Sequence, residues 1–265
     1  MRIGVISLFP QVVESIADFG VVGRAIENRL ASLTVGDPRD FTTDAHRTVD
    51  DRPYGGGPGM VMKAEPLKAA IDAVKDELGA EAPVIHLSPA GKPFDQRAAQ
   101  RLAALPAFVL VSSRYEGVDE RLVDDSIDEE LSIGDFVLSG GEVAAMAVID
   151  AVVRLLPGAL GDAESAEQDS FMQGLLDHPH YTRPDTVLGR EVPEVLKSGD
   201  HEKIARWRHK QALGRTLMRR PDLLRQMNLS DEQRELLDEY KQETGLAADT
   251  TPGVSLQVEN DEQTD

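Results

Sequence analysis

Apolar positions along this chain cluster into short runs, and the runs are separated by segments with helical spacing. Met1 to Leu8 (MRIGVISL) reads as a buried strand that Phe9-Pro10 ends; Ala31 to Val35, Pro83 to Leu87 and Ala107 to Val111 read as further strands. Glu65 to Leu78 places Leu67, Ala70, Ile71, Val74 and Leu78 on one helical face, and helices are also predicted over Gln11 to Ala17, Val22 to Leu30 and Gln96 to Leu105. Val143 to Leu156 is apolar and Ala-rich, a buried helix that carries the charges Asp150 and Arg154. Strands and helices that alternate over short connections predict an α/β layer architecture. From His201 onward the pattern is helical only, with Ile204, Trp207, Ala212, Leu213 and Leu217 on the apolar side, and Ser230 opens a last helix with the capping signature S-D-E-Q.

Three loops of small residues follow apolar runs: Leu87 to Gly91 (LSPAG), Ser112 to Val118 (SSRYEGV) and Ile133 to Glu142 (IGDFVLSGGE). In the last, Gly134, Gly140 and Gly141 allow close approach to the backbone, while Ile133, Phe136, Val137 and Leu138 supply apolar walls. Alone, that stretch also suits a buried strand and a tight turn. Taken together, the three loops predict neighbouring strands of a parallel sheet that present their C-terminal ends to one flat, partly apolar ligand. No G-x-G-x-x-G follows the first strand, which argues against a dinucleotide-binding start. The glycine cluster in DDRPYGGGPGMVM, Asp50 to Met62, lacks the Lys-Ser or Lys-Thr of a phosphate-binding loop of nucleoside triphosphatases. Two readings of it stand: a flexible connector, or a loop whose amides grip phosphate or sugar. Arg154 likewise has two readings, an ion pair with Asp150 one helical turn away or a functional guanidinium. The acids of Asp124 to Glu130 read as a solvated face, and His178 and His180 alone are weak evidence for a metal.

At 265 residues the chain is long enough for a full core. A polar, small-residue stretch beginning at Pro157 suggests a domain boundary. The expected division is an α/β domain over 1–160, a flexible linker over 161–176, a helical domain over 177–246 and a disordered acidic tail over 247–265. No apolar stretch is long enough for a membrane span and no charged-then-apolar leader opens the chain, so a soluble, cytoplasmic protein is expected. With no cysteine, disulfides and thiolate metal sites are excluded. The net charge of −19 argues against a polyanionic partner until its distribution is considered. Between His201 and Arg225 eight Lys or Arg stand against two acids, a window of +6 in a remainder of −25. Such a chain can hold RNA locally and repel it elsewhere.

RPYGGGPGMVM, LSPAGKPFDQ, RYEGVDER, SIGDFVLSGGE, DSF, HPHYTRP and RWRHKQALGRT occur in this order, and from Met1 to about Thr244 the chain closely resembles the bacterial tRNA (guanine-N1)-methyltransferases. The resemblance implies the SPOUT fold, a parallel-sheet domain with a deep trefoil knot followed by a small helical domain. It implies S-adenosylmethionine as methyl donor, with contacts at Leu87, Ser88 and Pro89, at Ser113, Glu116 and Gly117, and at Ile133, Gly134, Asp135, Phe136, Val137, Leu138, Gly140 and Gly141. It further implies Asp169 as general base and Arg154 as its electrophilic partner in methylating N1 of the guanine at tRNA position 37. Magnesium is implied as well, without a visible cage of carboxylates, and so is a homodimer whose active site is shared between subunits. tRNA contacts are expected at Gly57, Pro58 and Gly59, at His180 and Arg183, and at Arg206, Arg208, Lys210, Arg215, Arg219 and Arg220.

The chain departs from the family at Ser112-Ser113, where Cys-Gly is usual, at His86 and Phe136, where Tyr is common, and at Ala144 in place of Pro. These bear on cofactor affinity and remove no catalytic group. Two other functions compete: a silent RNA-binding protein on the same fold, against which Asp169 and Arg154 both speak, and a related enzyme acting on ribose 2′-hydroxyls or ribosomal RNA, against which the basic C-terminal region with HPHYTRP speaks.

Overall fold

Strand β1 (Arg2–Ile6) lies inside a five-stranded sheet because four of its five residues are buried and need cover on both faces. The computed structural model describes residues 1–161 and 169–246; the expected acidic tail and residues 162–168 of the expected linker lie outside the described residues. Two compact units divide the chain, residues 1–166 and 167–265.

In the first unit β1 is followed by α1 (Pro10–Glu14), α2 (Gly20–Glu27), β2 (Ser32–Gly36), the short antiparallel pair β3 (Asp50–Asp51) and β4 (Val61–Met62), and α3 (Ala64–Leu78). Next come β5 (Val84–Pro93), α4 (Gln96–Ala103), β6 (Ala107–Ser112), α5 (Glu120–Ser126), β7 (Glu129–Ser132) and α6 (Glu142–Val153). The sheet order is β2-β1-β6-β5-β7, with every neighbouring pair parallel. All of β6 is buried, and its pleat divides the core. Phe108 and Leu110 pack with Val13 of α1, Val22 of α2, Leu102 of α4 and Val148 of α6. Val109 and Val111 turn the other way, toward Leu67, Ile71 and Val74 of α3 and Leu122 of α5.

Several elements end earlier than their apolar patterns do. The first predicted helix stops at Glu14 and gives way to a 3₁₀ turn over Ser15–Asp18, and α6 closes at Val153, leaving Arg154 as its C-terminal cap residue. The acidic run before Leu131 is more than a solvated face. The Asp128 carboxylate accepts from the Val84 amide at 2.7 Å, Glu129 accepts from Arg101, and Glu130 stands beside His86. These acids carry the chain into β7, so the third strand of the trio precedes the apolar stretch at 133–138, which is a loop.

The second unit holds the two-stranded ribbon of β8 (Thr186–Val187) and β9 (Arg190–Glu191), then α7 (Glu194–Lys197), α8 (His201–Arg219), α9 (Pro221–Arg225) and α10 (Asp231–Thr244). Its apolar centre is small: Leu175, Leu213, Leu224, Leu236 and Leu237. Ser230 and Gln233 close a reciprocal capping box at the start of α10, as the S-D-E-Q spacing predicts. Among the described residues no helix is long and apolar enough to cross a membrane.

Candidate functional site

β6, β5 and β7 are adjacent, and Leu87, where the β5 ladder breaks, stands level with Ser112 at the end of β6 and with Leu131 near the end of β7. This edge of the sheet opens onto a cavity of about 260 Å³. Leu87, Ser88 and Pro89 line it from β5, Ser113, Glu116 and Gly117 from the loop after β6, and Ile133, Gly134, Phe136, Val137, Leu138, Gly140 and Gly141 from the loop after β7. Asp135 is not among the lining residues. Phe136 and Val137 stand 53% and 87% exposed, apolar surface held out on a loop that a ligand would cover. At Gly141 a Cβ would come within 2.8 Å of the Ser112 Cα, so only glycine lets these two backbones meet. The Gly141 amide uses that proximity to donate to the Ser113 carbonyl at 2.9 Å. Tyr115, also lining the cavity, holds a φ of 61°, a conformation that costs free energy for an L side chain and recurs at ligand-binding loops.

A charged network supports this cavity from behind. Glu142, 2% exposed in the first turn of α6, takes both carboxylate contacts from Arg114 Nε at 3.1 Å and one from Ser7 Oγ at 3.2 Å. The Arg114 guanidinium also lies 4.4 Å from the centre of the Phe9 ring. A buried carboxylate persists only when paired and hydrogen-bonded, and the helix N-terminus favours it further. The loop bearing Gly57, Pro58 and Gly59 is tied to the same region: the Glu116 amide donates to Met60 O at 2.8 Å, and the Met62 amide to Gly117 O at 2.9 Å. That loop is thus the tip of the β3-β4 hairpin, joined to the cavity wall.

Arg154 is half-buried at the end of α6 in the first unit. Asp169 belongs to the second, where it lines a cavity of about 230 Å³ with Asp177, His178, Arg208 and His209, and one of its carboxylate oxygens is shut off from solvent. His178 Nδ1 and His180 Nε2 approach the two oxygens of Asp177 at 2.7 and 2.8 Å. Burial pushes the Asp177 carboxyl up, but the His180 bond, the His178 amide and the two histidine charges together hold it below its ordinary value. Burial also pushes His178 down, against the opposing pull of Asp177. Of the basic set, Arg208, Arg219, Arg220 and Arg183 are exposed. Arg206, also exposed, meets Glu239 with both terminal nitrogens at 2.8 and 2.7 Å, exposed Arg220 pairs with Asp222, buried Lys210 meets Glu243 at 2.6 Å, and half-buried Arg215 reaches the Asp177 carbonyl at 3.5 Å.

Against known proteins, the family described as tRNA (Guanine-1)-methyltransferase TrmD matches residues 1–226. The chain belongs to this family. It is 62% identical over 246 residues to the tRNA (guanine-N(1)-)-methyltransferase of Methylococcus capsulatus, covering 93% of this chain and 98% of that one. The enzymes of the same name from Psychromonas ingrahamii and Vibrio vulnificus are 61% and 57% identical, over 89% and 92% of this chain and 97% and 98% of theirs.

For a member of this methyltransferase family, the cavity of the first unit fits an adenosyl ligand: apolar walls for a flat base, glycine edges for close backbone approach, and polar groups at the strand ends. Magnesium is a different matter. Among the described residues the grouping of metal-competent side chains is Asp177, His178 and His180, with donor atoms within 4.8 Å of one another. Two imidazoles and one carboxylate suit a borderline cation, whereas magnesium takes oxygens in near-octahedral array, so this set does not fit it. Sequence reasoning did not find Arg114, Tyr115 and Ser139 of the cavity wall, nor Glu142 behind it. A glutamate directly after Gly140-Gly141, at a helix start, was the available signal for Glu142.

Proposed function

We propose that this chain transfers a methyl group to N1 of the guanine at position 37 of tRNA, with S-adenosylmethionine held in the cavity at the ends of β5, β6 and β7. The convergence of the three small-residue loops on one cavity, in a chain of this family, carries the proposal. When bound, S-adenosylmethionine supplies an electrophilic methyl on a sulfonium and departs as the thioether. Guanine N1 carries a proton at neutral pH, so its lone pair is not available until that proton leaves. The Asp169 carboxylate is assigned to accept it, a role worth roughly 10² to 10⁴ in rate. As N1 loses its proton, negative charge spreads to O6, and the Arg154 guanidinium is assigned to stabilise it by a charge-assisted hydrogen bond.

The homodimer implied by the resemblance would let Asp169 of one subunit serve the cofactor bound by the other. The trefoil knot is likewise part of the proposal. Its support is local: residues 88–91 leave the β5 ladder and return to the same Leu131, and a Cβ on Gly91 would collide with the backbone of Glu130 and Leu131. RNA phosphates are assigned to Arg208, Arg219 and their neighbours, with His180 and Arg183 and the Gly57-Pro58-Gly59 tip contacting the anticodon region. Magnesium finds no oxygen-rich cage among the described residues, and we assign it no residue and no step. The test is incubation of the full chain with labelled S-adenosylmethionine and unmodified tRNA transcripts carrying guanine at positions 36 and 37. The expected product nucleoside is 1-methylguanosine at the second guanine; a ribose-methylated product would overturn the assignment of Asp169.

A further inference from the structure

The cavity has one polar feature that its family membership does not explain, and it lies in the side chains of Glu130, His86 and Ser113. His86 sits in β5 directly beside Glu130 of β7, its register partner, and is 5% exposed. Its Nδ1 lies 2.9 Å from Glu130 Oε1 and its Nε2 lies 3.1 Å from Ser113 Oγ. Both His86 and Ser113 line the cavity; Glu130 does not.

Proton accounting fixes the direction of these bonds. A carboxylate only accepts, so a neutral His86 keeps its hydrogen on Nδ1 and donates it to Glu130. Nε2 is then an acceptor, and the Ser113 hydroxyl spends its single hydrogen on it. What Ser113 Oγ has left to offer the cavity is lone pairs alone.

We infer that the Glu130–His86 pair locks Ser113 as a hydrogen-bond acceptor in the cofactor cavity, selecting an N–H or O–H donor on the adenosyl ligand. His86 and Glu130 are positioning residues in this arrangement, and Ser113 is the contact. The inference rests on the reading of this cavity as the S-adenosylmethionine site. Protonation of His86 reverses the lock: Nε2–H then donates to Ser113, whose own hydrogen turns elsewhere, and a donor on the ligand is left without its acceptor. Burial pushes His86 below its ordinary value, while Glu130 on β7 and Glu120 at the start of α5 pull the other way. The locked form therefore holds at neutral pH, and protonation releases it only below the ordinary imidazole range.

The experiment is calorimetric titration of the full chain with S-adenosylhomocysteine, which keeps every N–H and O–H donor of the methyl donor. Ser113→Ala, Glu130→Gln and the double variant are compared with wild type from pH 5 to 8. At pH 8, Ser113→Ala is expected to weaken binding about 3- to 10-fold, the scale of one lost hydrogen bond. Glu130→Gln is expected to weaken it less, and the double variant no more than Ser113→Ala alone, since the two act through one bond. Wild-type affinity falls at the acid end and that of Ser113→Ala does not; in methyl transfer, Ser113→Ala raises KM for S-adenosylmethionine with kcat retained. Identical pH profiles for wild type and Ser113→Ala overturn the inference, and so do additive losses in the double variant. Should Glu130→Gln fail to fold, the Ser113→Ala profile decides alone. If wild type itself does not bind S-adenosylhomocysteine, the reading of the cavity fails; if wild type binds and methylates while Ser113→Ala matches its profile, only the lock fails.

Discussion

Residues 1–161 bury apolar side chains on both faces of a parallel sheet, whereas residues 169–246 rest on five buried leucines and on ion pairs between α8 and α10. The first arrangement gives rigid strand ends, and the cavity is built on them. In the second, much of the fold is surface, and positive charge is divided between holding helices together and facing solvent. A polyanion would find arginines there, but not all of them at liberty. The contrast suggests that cofactor affinity and RNA affinity fail through different substitutions.

Leu213→Ala breaks the contrast most strongly if it is wrong. Leu213 is fully buried in the small leucine centre, and its truncation is expected to cost about 2 to 5 kcal/mol, enough to unfold so slight a core. Binding of tRNA should be lost while S-adenosylhomocysteine binding, by calorimetry, stays within twofold. Loss of both would show that the units do not fail separately. Gly141→Val acts in the opposite unit, forcing a side chain against the Ser112 backbone at an expected cost of about 1 to 3 kcal/mol. Thermal unfolding and calorimetry should report a weakened cofactor site with tRNA binding preserved.

Within the basic helix, Arg208 is exposed and Arg206 is engaged by Glu239. Filter binding of tRNA across salt concentrations should give a slope smaller by about 1 for Arg208→Gln and a lesser change for Arg206→Gln. Equal changes would mean that the Glu239 pair opens on RNA. The smallest effect concerns pH. His86 titrates below its ordinary 6.5 in the fold, chiefly through burial, so between the two values the unfolded chain binds the extra proton. Its contribution to stability is complete above about pH 6.5 and is lost as pH falls below that value. Urea midpoints should drop between pH 6.5 and 5, and drop less in His86→Gln.

Much of this architecture is legible in residue spacing, because the buried strands and α3 announce themselves by period, and the small-residue loops mark where backbones crowd. β7 was hidden because Glu129 and Glu130 look like solvent-facing acids until Arg101 and His86 are brought to them by the sheet. The same holds for Glu142, whose partners Ser7 and Arg114 lie 135 and 28 residues away. Pairings over such distances leave no local pattern. Lys210 stands in the basic stretch that the resemblance assigns to RNA; only the approach of α10 reveals that it is buried against Glu243.

We propose a division of labour in which the first unit holds the cofactor and Asp169 of the second accepts the proton. It is tested most directly by measuring, on one preparation of Asp169→Ala, both S-adenosylhomocysteine affinity and methyl transfer to a tRNA transcript with guanine at position 37. Wild-type affinity is expected, with transfer reduced by roughly 10² to 10⁴. Transfer at the wild-type rate, or affinity lost together with transfer, would contradict it.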